Sequence, residues 1–215
     1  MRKSSARPII SLTLGAVKCY NVNMSEYSIK NGFKGFGKET LVTERLILRP
    51  WRESDAEDLY EYAKDPVIGE RTGFVPHKSV EDTIEVLLRK GLMCEYNRAV
   101  CLKDGKAIGS IGLINHDGTP EIGYWLGKPF WGQGLIPEAV RRVAVYVFDV
   151  LGANKLYCGY FDGNVNSRRV SEKCGFIYSH TEYDKLWEAT GKIVTEHFTV
   201  LDRAKFEQNR VFYEN

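Results

Sequence analysis

The sequence predicts a mixed α/β domain built around a mostly antiparallel sheet. Its 215 residues suffice for one domain with a complete core, and they leave no room for a second catalytic domain. Strand-like runs follow one another at 99–102, 107–114 and 121–126, separated by Asp-Gly turn signals at 104–105 and 117–118. These runs predict an antiparallel meander. With the flanking patterns, the predicted order is β, α, α, β, β, β, α, β, α, β, β.

The elements before the meander are a strand and two helices. Apolar and polar residues alternate over 41–49, which predicts the first strand. Ser54 and Glu57 have the spacing of a capping box, so a helix should start there and be stopped by Pro66. Apolar residues at helical spacing predict a second helix that begins near Ser79.

Helices and strands alternate after the meander. Pro137 in a first turn, an apolar face and a following glycine predict a helix over 137–151. A strand at 156–161 comes next. Asn164 or Asn166 can cap a short helix, and 193–201 predicts a late strand.

Composition excludes several classes of function. The hydrophobic fraction of 43%, the charged fraction of 27% and the lack of a long apolar run predict a protein without a membrane partner. A net charge of +2 with scattered basic residues predicts no nucleic-acid partner. Five cysteines without C-x-x-C or paired spacings predict reduced thiols, a cytoplasmic location and no metal.

The first part of the chain is predicted to be a flexible tail. Residues 1–38 are rich in Ser, Asn, Gly and Lys, and they offer little periodic apolar surface. The domain is therefore expected to span 39–215. Lys18 interrupts the early apolar run, so a secretory signal is not expected, and Met24 is an alternative start that the sequence leaves open.

The segment EIGYWLGKPFWGQGLIPEAVRR, from 121 to 142, runs from a strand through a glycine-bearing loop into a helix. Unpaired N–H groups at a helix start form an anion site, and glycines let a phosphate approach the backbone. Because Pro137 has no N–H, the donors should lie between Gly132 and Ile136. Arg141 and Arg142, a turn further on, are candidates for an outer phosphate.

This loop, together with NVNSRRVSEKCGF at 164–176, resembles the GNAT acyltransferase superfamily, in particular its branch of ribosomal-protein N-terminal acetyltransferases. The family's loop has Gln or Arg, two residues, Gly, one residue, then Gly or Ala. Here Gly134 matches, while Trp131 and Ile136 depart from the pattern. The resemblance covers about 41–201. It implies the GNAT acyl-CoA N-acyltransferase fold, acetyl-CoA as cosubstrate and a primary amine as acceptor.

The resemblance also implies which residues act. Glu121 would be the general base, and Ser167 the acid that protonates the leaving thiolate, with Ser171 as a lesser candidate for the acid. Apart from the resemblance, His116 is a lesser candidate for the base. Asn164 and Ser167 would face the pantetheine arm. The remaining expected cofactor-binding residues are Tyr124, Trp125 and Leu126 of the strand and Trp131, Gly132, Gln133, Gly134, Leu135 and Ile136 of the loop.

Several alternatives stay open. The acceptor is a peptide N-terminus or a small amine, and the protein a monomer or homodimer. A non-catalytic acyl-CoA sensor on the same fold and an NAD(P)-dependent oxidoreductase using the βαβ unit at 121–161 are the rival functions. GFKGFGKE at 32–39 matches part of a P-loop, but it lacks the Ser or Thr and the flanking strand and helix. Trp51, Phe74, Trp125 and Trp187 either line the acceptor pocket or belong to the core.

Overall fold

The computed structural model describes residues 35–88, 92–116 and 118–214. Its sheet has eight strands in the order β1-β2-β3-β4-β5-β6-β8-β7. They are β1 (Leu41–Val42), β2 (Leu46–Arg49), β3 (Asn97–Leu102), β4 (Ala107–His116), β5 (Thr119–Leu126), β6 (Lys155–Phe161), β7 (Ile177–Trp187) and β8 (Lys192–Asp202). The β5–β6 pair is parallel and the other pairs are antiparallel. The predicted fold class and meander are confirmed.

Helices flank this sheet. They are α1 (Ala56–Ala63), α2 (Pro66–Thr72), α3 (Val80–Leu88), α4 (Leu135–Val145), α5 (Val165–Lys173), α6 (Arg203–Gln208) and α7 (Arg210–Glu214). A π-helical turn, Tyr146–Val150, continues α4. The side chains of Val140 and Val143 on α4 are buried in the core, as the apolar stripe predicted. No helix in the described ranges is long and apolar enough to cross a membrane.

The single strand predicted over 41–49 is wrong. The segment folds back on itself, so that Leu41 of β1 pairs with Leu48 of β2. The hydroxyl of Thr43 accepts the N–H of Leu46 at 2.9 Å and closes the turn. An alternating pattern fixes which face each residue occupies, but the same alternation fits one strand or two short ones.

The predicted start of the first helix is wrong. α1 begins at Ala56, and it is Asp55 rather than Ser54 whose carboxylate accepts a backbone N–H before it, that of Arg52 at 2.8 Å. α1 ends at Ala63, before Pro66, as predicted. Pro66 also occupies the first turn of α2, a helix that was not predicted, where the side chain of Asp65 caps the N–H of Val67 at 2.9 Å.

The predicted tail boundary lies too late by at least four residues. Phe36 is completely buried, and its ring lies 5.5 Å from that of Tyr146. The hydroxyl of Tyr146 donates to the carbonyl of Gly35 at 3.2 Å. The folded domain therefore includes residues 35–38. Residues 1–34, which include Met24 and the first three residues of the P-loop-like stretch at 32–39, lie outside the described residues.

The sheet splays where the functional motifs meet. β5 and β6 pair only at Glu121 with Tyr157 and at Ile122 with Cys158. Beyond Ile122 the two strands separate, although each keeps its antiparallel partner on the other side. A gap in a sheet exposes backbone groups of both strands, so it offers hydrogen-bonding edges to an extended ligand.

Candidate active site

A cavity of about 490 Å³ fills the splay between β5 and β6. Its walls come from both strands, the loop before α4 and the helices α2 and α5. Of the residues predicted to bind the cofactor, those that line it are Tyr124, Trp125, Leu126, Trp131, Gly132, Gly134, Leu135, Ile136, Asn164 and Ser167. The cavity thus brings together two motifs that are about 30 residues apart in the chain. Gln133 and Glu121 are not among the lining residues.

The loop before α4 has the geometry of an anion site. Gly132 and Gly134 adopt φ values of +77° and +75°, a region that favours glycine. None of the N–H groups from Gly132 to Ile136 donates to another group of the described protein, because the first such bond in the helix is from Glu138 to the carbonyl of Gly134. These free donors at a helix N-terminus fit a pyrophosphate.

The side chains of this loop have partners within the protein. The indole of Trp131 donates to the carbonyl of Leu126 at 2.6 Å, which fixes the end of β5. The amide of Gln133 donates to the carbonyl of Pro129 at 2.8 Å. Leu135 and Ile136 are buried in the core. The departures of Trp131 and Ile136 from the family pattern therefore leave the backbone donors of this loop intact.

Positive charge around the cavity comes from α2 and α5. Arg71, Arg169 and Lys173 line it, and the guanidinium of Arg71 lies 5.1 Å from the ring centre of Trp131. The two arginines proposed for an outer phosphate, Arg141 and Arg142, are not among the lining residues. Arg141 instead lies over the ring of Phe212, at 5.1 Å.

A clasp made by Thr43, Arg45 and Glu138, which the sequence analysis missed, holds the loop against the β1–β2 turn. Glu138 in the first turn of α4 accepts from the hydroxyl of Thr43 at 2.5 Å and from the backbone N–H and Nε of Arg45 at 2.9 and 2.6 Å. Nη1 of Arg45 then donates to the carbonyl of Gln133 at 2.9 Å. Burial raises the pKa of Glu138, but these hydrogen bonds outweigh it and lower the pKa overall. A sequence pattern shows no sign of this link because the partners are more than 90 residues apart.

Tyr124, Ser167 and Asn164 meet on the other wall. The hydroxyls of Tyr124 and Ser167 lie 3.1 Å apart, and burial raises the pKa of Tyr124 well above its usual value. The side chain of Asn164 accepts the N–H of Ser167 at 3.3 Å and donates to the carbonyl of Arg71 at 3.1 Å. Ser171, the lesser acid candidate, is buried and donates to the carbonyl of Arg168 within α5.

Glu121 is buried at the base of the splay. The residue is 1% exposed, and its Oε2 lies 3.2 Å from Nδ1 of His116. Glu196 of β8, which the sequence analysis did not single out, is 2% exposed and does line the cavity. A Cβ added to Gly159 would lie 2.7 Å from Oε1 of Glu196 and 3.0 Å from Oε1 of Glu121. The two carboxylates therefore share one space.

A group that can hold a metal ion lies beside these carboxylates. The ligand atoms of His116, His180 and Glu182 lie within 4.8 Å of one another, whereas the sequence analysis expected no metal from cysteine spacing. Glu182 already has a cationic partner, since Nζ of Lys185 lies 3.0 Å from its Oε2. This ammonium competes with an ion for the same carboxylate.

Four aromatic residues were expected either to line the acceptor pocket or to belong to the core, and only one of them lines the cavity. Trp51, Phe74 and Trp187 are buried and do not line the cavity, while Trp125 is buried and lines it. The indole of Trp187 donates to the carbonyl of Gly73 at 2.7 Å, which ties the end of α2 to β7.

A sheet split at one parallel strand pair, with free amides and cations at one end and carboxylates at the other, defines the class of acyl-CoA-dependent N-acyltransferases. Comparison with known families agrees, since residues 45–177 match the model of the acetyltransferase (GNAT) domain. The chain belongs to the GNAT family and is an acetyltransferase. Acetyl-CoA is the acetyl donor that this family uses.

Individual relatives place it near the ribosomal-protein branch. The chain is 34% identical to the "Uncharacterized N-acetyltransferase p20" of Bacillus licheniformis over 176 residues, which are 77% of this chain and 97% of that protein. It is 31% identical over 156 residues, 68% of this chain and 85% of the relative, to the "Putative ribosomal N-acetyltransferase YdaF" of Bacillus subtilis. The resemblance predicted from the two motifs is confirmed.

Solved structures share the fold. A spermidine N-acetyltransferase from Vibrio cholerae, in complex with CoA and spermine, superposes with a TM-score of 0.62 at 19% identity, covering 80% of this chain and 100% of that one. A GCN5-related N-acetyltransferase from Brucella melitensis gives a TM-score of 0.72 at 19% identity, covering 82% and 84%. At this identity the likeness shows the fold alone.

Proposed function

We propose that the protein transfers the acetyl group of acetyl-CoA directly to a primary amine, within a ternary complex, in the cytoplasm. The observation that carries the proposal is the splay of β5 from β6, with the free N–H groups of Gly132 to Ile136 at one end and the carboxylates at the other. A pyrophosphate bound at the loop would direct the thioester along the exposed edge of β5.

The loop, the cations and the splay each have a part in binding acetyl-CoA. Backbone N–H groups from Gly132 to Ile136 and the positive end of the α4 dipole would hold the pyrophosphate. Main-chain groups of 124–126, opposite Asn164 and Ser167, would receive the pantetheine arm. A backbone N–H in the middle of β5 would stabilise the oxyanion that forms when the thioester carbonyl is attacked.

The acceptor must arrive at the end of the cavity that holds the carboxylates. An α-amino group has a pKa of about 8 and a lysine amine of about 10.4, so an acceptor is mostly an ammonium at neutral pH and must lose a proton before attack. The buried carboxylates of Glu121 and Glu196 lie in this region, and they support a base-assisted reaction. A thiolate leaves tolerably without an acid, so Ser167 would add little.

A peptide or protein N-terminus is the acceptor class that the relatives support, because one of them carries the name of a ribosomal N-acetyltransferase. A small polyamine is the second candidate. The buried carboxylates Glu121 and Glu196 support it, because they favour a cationic ligand. Both acceptor classes present a primary ammonium group to the site.

An acceptor screen tests the proposal. Short peptides, polyamines and aminoglycosides are incubated with acetyl-CoA, and released CoA thiol is measured together with the mass of the acceptor. We expect thiol release that depends on one acceptor class and a mass increase of one acetyl group. Tight CoA binding with no release for any acceptor would favour the acyl-CoA sensor, and preferential binding of NADH over CoA would favour the oxidoreductase.

A further inference from the structure

Glu196 is the acidic residue of the described chain that lines the cavity. It lies on β8, opposite Phe161 of β6, and its carboxylate passes over the strand at Gly159. A side chain at that position would come within 2.7 Å of Glu196 and within 3.0 Å of Glu121. The absence of a side chain at Gly159 thus leaves room for the carboxylate of Glu196 at the cavity wall, whereas Glu121 does not line the cavity.

The charges around Glu196 make the carboxylate end of the cavity negative. The ammonium of Lys185 contacts the carboxylate of Glu196 and also lies 3.0 Å from Oε2 of Glu182. Two carboxylates, those of Glu182 and Glu196, therefore share one ammonium, and the carboxylate of Glu121 adds a further negative charge beside Glu196. A cation that enters from the cavity would relieve this imbalance.

We propose that Glu196 is the carboxylate that takes the proton from the acceptor ammonium, with Glu121 and Lys185 as positioning residues that set its charge. This inference rests on the proposed acetyl transfer. The acceptor N–H bond breaks and its proton moves to an Oε atom of Glu196. The freed nitrogen lone pair forms the N–C bond to the acetyl carbonyl, and the C–S bond breaks with its electrons on sulfur. The second amine proton goes to the CoA thiolate, and Glu196 releases its proton to solvent.

The ionisation of Glu196 suits this step. Burial and the negative charge of Glu121 raise its pKa to about 7, although Lys185 opposes them. A carboxylate with this pKa is ionised in part at neutral pH and is a stronger base than an exposed glutamate. Because the shift is upward, the base form is lost as the pH falls through about 7.

Charged and titratable groups face Glu196 from every neighbouring strand. Glu121 comes from β5 and Lys185 and Glu182 from β7. His116 of β4 lies 3.2 Å from Glu121, and Tyr160 of β6 lines the same cavity. A pH profile therefore has to be assigned by comparing variants rather than from the wild-type protein alone.

The experiment measures the acetyl-transfer step by rapid mixing from about pH 5.5 to about pH 9, with the acceptor found in the screen. The wild-type rate should fall on the acid side near pH 7. Glu196→Gln should lower the rate at neutral pH by roughly 10²-fold or more and remove the limb near pH 7, so that the rate rises instead toward the acceptor's own pKa. Glu121→Gln should move the limb to lower pH with a smaller loss, because it removes a negative charge beside Glu196.

Two further variants keep the test decisive. Lys185→Met should move the limb to higher pH, because it removes a positive charge from Glu196, and this holds even if Glu196→Gln folds poorly. Glu188→Gln, an exposed acid just after β7, is the matched control and should behave as wild type. CoA affinity and the melting temperature check that each variant is folded.

The outcomes separate the inference from the proposed function. If the wild-type protein acetylates no acceptor, the proposed function fails. If the wild-type protein is active and Glu196→Gln keeps its rate and acid limb, only the assignment of Glu196 is overturned. Loss of the limb in Glu121→Gln, with its retention in Glu196→Gln, would identify Glu121 as the base.

Discussion

Glu138→Ala should destabilise the protein and weaken CoA binding together. The substitution removes the acceptor of three hydrogen bonds, at 2.5 Å from Thr43 and at 2.9 and 2.6 Å from Arg45. Hydrogen bonds to a charged group contribute about 1.5–3 kcal/mol each. The side chain of Arg45 is 45% exposed and regains water, so its bond counts for less. We expect the free energy of unfolding to fall by about 2–4 kcal/mol.

The effect on CoA follows from the position of Arg45. Its Nη1 donates to the carbonyl of Gln133 at 2.9 Å, and its Nη2 lies 3.6 Å from where a Cβ of Gly134 would be. Without Glu138, Arg45 no longer holds the loop in the conformation that aims its N–H groups at the pyrophosphate. A loss of about 1.4 kcal/mol in binding, or a roughly tenfold higher Kd, is expected.

Urea unfolding and titration calorimetry with CoA measure the two effects. Glu57→Ala is the matched control, because Glu57 is an exposed acid in the first turn of α1, and it should change stability by less than about 0.5 kcal/mol. Equal stability and equal CoA affinity in the Glu138 and Glu57 variants would refute the reasoning.

The same variant should show a particular dependence on pH. The pKa of Glu138 is lowered in the folded protein, so its stabilising contribution is complete above the ordinary value of 4.5 and is lost as the pH falls through the folded value. The stabilities of Glu138→Ala and the parent protein should therefore converge in acid. A difference that stays constant below about pH 4 would mean that ionised Glu138 is not the group responsible.

Three further changes test the cofactor site and the domain boundary. Gly134→Asp should raise the Kd for CoA at least about tenfold in a folded protein, because it adds a negative charge at the pyrophosphate loop, whereas Gly118→Asp, at a glycine of similar φ in the β4–β5 turn, should not. Ser167→Ala should slow acetyl transfer by less than about tenfold in stopped-flow measurements, because the thiolate leaves without an acid, and a larger loss would make Ser167 a required acid. Deletion of residues 1–34 should leave CoA affinity and the melting temperature unchanged, and a loss of either would make that segment part of the domain.

Local patterns predicted most elements of the fold. The meander, α3, α4 and α5 were found because each is specified by residues a few positions apart: Asp-Gly turns, helical spacing and the cap at Asn164. The errors arose where one pattern fits two structures. The alternation over 41–49 fits both a strand and a hairpin, and Pro66 can follow one helix or begin the next.

For the site, the sequence by itself determined the part made of backbone. The spacing of Gly132, Gly134 and Pro137 placed the free N–H groups at the start of α4, because glycine and proline constrain the chain locally. Only the tertiary structure decided the part made of side chains. Glu121 and Glu196 meet because β8 pairs with β6 beside the splay, and Glu138 meets Arg45 because α4 packs against the β1–β2 turn. These contacts join residues about 75 and 93 positions apart, and it is the packing and register of the whole sheet, rather than any local pattern, that fixes such distances.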